Sequence, residues 1–248
     1  MLSMFETFTA KMVIAYIACL VLGAVSLCVF LKMRVKSASP KCTVAKSVVS
    51  MFFILSLLVL AHKWGVDRYT MFIGAGLFFG LLGDIWLDLK FCCREGQADF
   101  YTYAGFISFA VGHFAYIAAI ATGVHGTFNA IAILPALGVG VVVALVVFFG
   151  EKVMGLHYGK FKLISTLYGA LLFFMASFAL FTAIFGGGIK NNMNLFVLFI
   201  GGILFAVSDL ILSGTYFGKG KNRPIDIVTN HVTYYIAQYV IAATLLFN

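Results

Sequence analysis

Along most of the chain, polar positions are too sparse to form the solvated face of a soluble helix. Apolar residues fill long runs near 11–31, 44–62, 69–89, 101–122, 128–149, 161–185, 194–215 and 226–247. About 20 residues at 1.5 Å rise span the roughly 30 Å hydrocarbon layer of a bilayer, so each run can cross one. Barrel strands are about 10 residues long and alternate in polarity, which these runs do not. The pattern predicts an all-α, polytopic membrane protein with eight transmembrane helices in one domain over 1–248. Composition agrees, with 62% hydrophobic and only 10% charged residues and a mean hydropathy of +1.05. Soluble domains carry about a quarter charged residues.

The formal charge of +8 is a topology signal because of where it lies. Loops 1, 3, 5 and 7, numbered by the helix they follow and taken with their helix ends, hold Lys32, Arg34, Lys36, Lys41, Lys46, Lys90, Arg94, Lys152, Lys160, Lys162, Lys219, Lys221 and Arg223. The other side holds Lys11, Lys63, Arg68 and Lys190, a split of 13 against 4. Basic loops stay cytoplasmic, so both termini are expected outside, in a plasma membrane or endoplasmic reticulum. The surplus faces anionic lipid and is not a nucleic-acid footprint. No cleavable leader is expected, since the first run lacks a basic start and a small-x-small site. The five cysteines (Cys19, Cys28, Cys42, Cys92, Cys93) lack metal-ligand spacing. Cys92 and Cys93, at a cytoplasmic helix end, read as apolar filler, with S-acylation the alternative.

Against this background three acids stand out. "GLLGDIWLDL" (80–89) places Asp84 and Asp88 in the third run, and "FAVSDLILSG" (205–214) places Asp209 in the seventh. An aspartate within a membrane helix costs roughly 2.5–3.5 kcal/mol on insertion scales, so such acids face a cavity or a partner. Asp84 lies about 7–8 Å below the cytoplasmic boundary and Asp209 about 9 Å, a shared depth. Asp88, one turn nearer the interface, reads as a solvated helix-end acid. Run eight carries His231, Tyr234, Tyr235 and Gln238 at i, i+3, i+4 and i+7, a polar stripe on one face. His113 and Tyr116 pair likewise in run four. His113 and Gln238 sit about 10 Å deeper than Asp84, as the lower wall of a cavity with the acids at its mouth, and Lys46 can reach that mouth. The bland readings are interhelical hydrogen bonds for the acids, satisfied core or belt groups for the aromatics, and a snorkelling topology residue for Lys46.

An offset of 125 residues puts Gly76 on Gly201, Gly83 on Ser208, Asp84 on Asp209, Leu87 on Leu212 and His113 on Gln238. This is consistent with two four-helix halves of the same orientation.

Four segments in this order resemble the YhhN family of membrane proteins: "FFGLLGDIWL" (78–87), "GFISFAVGHFAYIAAI" (105–120), "GGILFAVSDLIL" (201–212) and "VTYYIAQYVIA" (232–242). A looser match covers "AKSVVSMFFILSLLVLAH" (45–62), where Lys41 competes with Lys46 for the family's helix-two lysine. The resemblance implies eight helices. For characterised members, the lysoplasmalogenases, it implies hydrolysis of the vinyl ether of a lysoplasmalogen to a fatty aldehyde and glycerophosphoethanolamine or glycerophosphocholine. It puts Asp84 and Asp209 on the family's two aspartates, and His113, Tyr234, Tyr235 and Gln238 on its recurring polar positions.

That chemistry suits such a site. Vinyl ether cleavage begins with protonation of the β-carbon, which needs an acid still protonated near neutral pH. A second, ionised carboxylate would stabilise the oxocarbenium ion and activate water, as paired acids do in glycoside hydrolysis. Asp84 and Asp209 are thus the expected catalytic pair. Lys46, His113, Tyr116, His231, Tyr234, Tyr235 and Gln238 are the expected substrate-binding groups. Lys46, Lys162 or Arg223 would hold the phosphate of the lysophospholipid substrate, and no metal or organic cofactor is required. A small-solute or proton-coupled transporter is the alternative, served by the same acids and midplane polar groups. An intramembrane aspartyl protease fits poorly, despite "LPAL" at 134–137, because Leu-Leu-Gly precedes Asp84 and Ser208 precedes Asp209. A scaffold would leave the stripe of run eight unexplained.

Overall fold

The computed structural model describes residues 10–94, 96–122, 129–219 and 222–247, with Trp64 described by its backbone alone. Lys221, one of the basic loop residues, and Phe128, expected to open the fifth helix, lie outside them. Eight long helices are described: α1 Ala10–Arg34, α2 Pro40–Trp64, α3 Arg68–Leu89, α4 Ala98–Thr122, α5 Ile133–Phe149, α6 Lys162–Phe185, α7 Met193–Phe217 and α8 Pro224–Ala242. Each coincides with an expected run, displaced by a few residues at its ends. Two differences exceed fraying. The fifth run opens with a 3-10 turn, Ala130–Ala132, and the eighth ends in another, Ala243–Phe247.

Local chemistry sets several ends. Pro40 and Pro224 open α2 and α8, where a missing N–H costs nothing. Asp67 caps α3 by accepting from the Thr70 amide at 2.8 Å. Asp226 closes the first turn of α8, accepting from the Arg223 backbone N–H at 3.0 Å and its side-chain Nε at 2.9 Å.

Seven helices, α1 to α7, are long and apolar enough to cross a membrane. α8 falls short of the expectation of eight because Asn230, His231 and Gln238 interrupt its apolar run. Those three residues are buried within the bundle.

Small residues let helices close on each other around the aspartates. The Tyr116 ring of α4 fills the space a Gly76 side chain would need, and a Cβ on Gly83 would meet the Phe109 ring at 2.6 Å. Across α7 and α8, a Cβ on Gly201 would meet Ile241 at 2.6 Å. Ile241 follows Tyr116 by the same 125 positions that separate Gly201 from Gly76. The pairs α3–α4 and α7–α8 therefore pack in one register.

Candidate active site

A cavity of about 440 Å³ opens at the end of the bundle carrying the basic loops. Its wall includes Arg34, Ser37, Lys46, Asp84, Asp88, Lys90, Ser208, Asp209, Asn222, His231 and Tyr234. Both predicted catalytic aspartates thus face one chamber.

Their surroundings differ. Asp84 is 2% exposed, and its Oδ2 accepts from Ser50 Oγ at 2.6 Å and Tyr234 OH at 2.9 Å. Its Oδ1 lies 3.1 Å from the Lys46 ammonium. Three donors, one cationic, suit the ionised carboxylate. Asp209 accepts a single hydrogen bond at Oδ2, from Tyr168 OH at 2.7 Å, and forms no ion pair among the described residues. Tyr168 gives its proton to Asp209, so His113 Nε2, 3.2 Å away, must be the donor to the phenol oxygen. That leaves His113 Nδ1 as a buried acceptor without a partner.

A second cavity of about 290 Å³ runs between α4, α5, α6 and α7. Its wall is largely apolar, with Phe106, Val143, Val147, Leu172 and Phe173, and Met154 and Tyr158 at the basic end. It shares Leu87, Phe109, Asp209, Leu212 and Tyr216 with the chamber. Asp209 therefore stands where a polar chamber meets an apolar groove. Residues 42–245 match the model of the YhhN family. The chain belongs to the YhhN family. No curated protein and no solved structure matches it.

Of the expected substrate-binding groups, Lys46, Tyr234 and His231 line the chamber of this YhhN protein. The other four sit behind the wall. Gln238 donates to Tyr234 OH at 2.8 Å and accepts from Tyr116 OH at 3.3 Å. Tyr235 OH donates to the Lys46 carbonyl at 3.2 Å and lies 3.1 Å from Ser50 Oγ. His113 holds Tyr168. These four position the residues that touch the cavity, and His113 and Gln238 lie behind the wall on which they were expected. The facing neighbour is not readable from spacing along a helix.

Asp88 is the second correction. It is 3% exposed rather than solvated, with Oδ1 3.6 Å from Lys46 and Oδ2 buried without a partner. Lys46, from the neighbouring helix α2, lies against the helix end expected to meet water. Two further participants, Ser50 and Tyr168, were missed. Ser50 follows Lys46 by one turn, so the i, i+4 spacing that puts the two on one face of α2 was a usable signal. Tyr168 had none, being a lone tyrosine in an apolar run.

Proposed function

We propose that this protein is a membrane hydrolase that cleaves the vinyl ether bond of a lysoplasmalogen, releasing a fatty aldehyde and glycerophosphoethanolamine or glycerophosphocholine. The observation that carries this reading is Asp209 at the seam between the two cavities. In such a lipid the vinyl ether joins the hydrocarbon chain to the polar glycerophosphate. With the chain in the groove and the headgroup in the chamber, the bond falls beside Asp209. Family membership supports the same chemistry.

Asp209, which has no cation partner among the described residues, is assigned as the acid; with Oδ2 held by Tyr168, its proton sits on Oδ1. Transfer of that proton to the β-carbon turns the vinyl ether into an oxocarbenium ion. Asp84, held ionised by Lys46, Ser50 and Tyr234, stabilises the cation. Water adds to the cationic carbon and loses a proton to a carboxylate. The hemiacetal then collapses: its hydroxyl proton leaves, the C–O bond to glycerol breaks, and the glycerol oxygen is protonated. Asp209 ends the cycle protonated again. α8 completes the enclosure as an eighth span, its polar side chains spent inside the bundle. The chamber opens to the cytoplasm and both termini lie on the opposite side, following the basic split.

The test is aldehyde release by purified protein in detergent, where no gradient exists for a transporter to use. In heavy water the aldehyde, trapped at once by coupled reduction, should carry one deuterium at C2. Absence of aldehyde across a lysoplasmalogen panel would overturn the reading. Label no higher than in unlabelled aldehyde carried through the same workup would overturn the carbon-protonation step.

A further inference from the structure

Four cations at the basic end of the bundle already have an anionic partner. Lys46 is held by Asp84 and Asp88, Lys162 by Glu151 at 3.2 Å, Arg223 by Asp226 at 2.9 Å, and Lys160 by Asp99. None of the three expected phosphate ligands is therefore free of a carboxylate. Arg34 and Lys90, which line the chamber rim, form no ion pair among the described residues. Both lie against one aromatic ring: the Arg34 guanidinium is 4.1 Å from the Phe91 centroid and the Lys90 ammonium 5.6 Å. Lys90 also sits 3.5 Å over the Tyr216 ring.

Two positive charges are thus neighbours on a partly desolvated aromatic floor, an arrangement that repels itself and that an anion would relieve. Burial pushes the Lys90 ammonium down to about 8, with Asp99 opposing that shift and Arg34 adding to it. Arg34 Nε is buried and donates to nothing. Both residues lie at helix C-terminal ends, where the dipole favours cations. That favour would be met by solvated side chains and does not account for a buried, idle N–H. Ser37 and Asn222 supply further polar groups on the same cavity wall. Asp84 and Asp88, two acids sharing the one Lys46 ammonium, would repel an anion deeper in, which keeps it at the rim.

The geometry points to a phosphate subsite in which Arg34 and Lys90 bind the phosphodiester of a single-chain phospholipid, with the chain directed to the groove beyond Asp209. The inference rests on the lipid-hydrolase reading for the source of the phosphate. An arginine fork and a lysine point charge are a suitable pair for a phosphate.

Binding to the purified full chain in neutral detergent micelles tests it, with four probes: an ester lysophosphatidylethanolamine, which has no vinyl ether to cleave, the matching monoacylglycerol, glycerophosphoethanolamine and inorganic phosphate. Arg34→Gln and Lys90→Gln should each weaken the lysophospholipid about tenfold or more, as loss of a charge-assisted contact does. Monoacylglycerol binding should be unchanged, which also reports that the variants are folded. Arg34→Lys, the gentler change should Arg34→Gln fail to fold, should bind between wild type and Arg34→Gln. For vinyl ether turnover, the variants should raise KM with kcat largely kept. Undiminished lysophospholipid binding in both Gln variants, or an equal loss for monoacylglycerol, would overturn the subsite. Inorganic phosphate or glycerophosphoethanolamine binding as tightly as the lysophospholipid would overturn the lipid as its source. Charge-dependent lysophospholipid binding without any aldehyde release would leave the subsite standing and remove the hydrolase reading. Turnover with an unmoved KM in the variants would do the reverse.

Discussion

Replacing Lys46 by methionine asks what one ammonium contributes between two buried carboxylates. Lys46 lies 3.1 Å from Asp84 and 3.6 Å from Asp88, and all three are at most 6% exposed. At an effective dielectric of about 20, each attraction is on the order of 5 kcal/mol, set against several kcal/mol to desolvate each ion. The pairs are therefore close to break-even as built, but not once the cation is removed. Asp84 would keep Ser50 and Tyr234 as donors, whereas Asp88, whose Oδ2 already lacks a partner, would keep none. Loss of one member of a buried pair costs about 3–5 kcal/mol, and that is the expected destabilisation for Lys46→Met.

The same geometry predicts a rescue. Asp88→Asn alone should cost about 1 kcal/mol, since it removes the longer contact and leaves Asp84 paired. In the Lys46→Met background it should return about 2 kcal/mol, because it deletes the stranded charge and its repulsion of Asp84 one turn away. Unfolding by sodium dodecyl sulfate in mixed micelles, followed by circular dichroism, gives the four values of the cycle. If Lys46→Met lies within about 1 kcal/mol of wild type, or Asp88→Asn fails to rescue it, Lys46 is not the counter-ion that its distances describe.

Asp84→Asn and Asp209→Asn should each lower aldehyde release at least about 10²-fold, and Tyr168→Phe about tenfold through kcat; activity within tenfold in either Asn variant would remove that carboxyl from the chemistry. Gly83→Ala should destabilise by about 1–3 kcal/mol, because three buried atoms of the Phe109 ring lie 2.6–2.8 Å from the added methyl; an unchanged micellar unfolding midpoint would show that the ring moves aside. The Tyr158 backbone N–H, donating at 2.6 Å, together with Lys162, holds the Glu151 carboxyl below the usual carboxylate range. Its contribution to loop order is thus present above the ordinary glutamate range, about 4.3, and is lost as pH falls through the lower folded value. A spin label at Val153, which is 91% exposed, should gain mobility below about pH 4 and be mobile at every pH in Glu151→Gln; a flat profile in both would separate Glu151 from loop order.

Helix positions were legible because a lipid-length apolar run is a strong signal and its ends fall where charges resume. The two aspartates were legible because an acid in such a run needs a cause. What failed was the assignment of faces. Hydrophobic periodicity marks a buried face only when the opposite face is polar, and here lipid and core are both apolar. His113, Tyr116, Tyr235 and Gln238 therefore read as substrate-binding groups when they brace Tyr168, Tyr234 and Ser50 from behind. Asp88 failed for a related reason: distance from a helix end says nothing about the neighbouring helix that brings a partner to it. α8 was read as a span from a run whose polar residues make it the least apolar of the eight. The same stripe that marked it as functional keeps it out of the set recognisable by hydropathy.

The register shared by α3–α4 and α7–α8 accounts for two aspartates facing one chamber. Gly76 against Tyr116 recurs as Gly201 against Ile241, and the same offset of 125 carries Asp84 onto Asp209. If that were the whole of the design, the two carboxyls would be equivalent. They are separated by what the preceding helix of each half delivers. α2 brings Lys46 to Asp84, and α6 brings Tyr168 to Asp209, residues 122 apart and so three short of the common register. An ammonium in one half and a phenol in the other give two carboxyls in similar frames opposite partners. An ammonium holds a carboxylate in its charged form, whereas a lone phenol donor leaves the other free to take and give a proton. That asymmetry is what the division into stabilising base and general acid requires. A transporter binding one cation between equivalent acids would have no use for it. Exchanging the partners, Lys46→Tyr with Tyr168→Lys, should therefore abolish turnover even where the protein still folds. Retained turnover would mean that the two acids are interchangeable and that the assignment of roles is wrong.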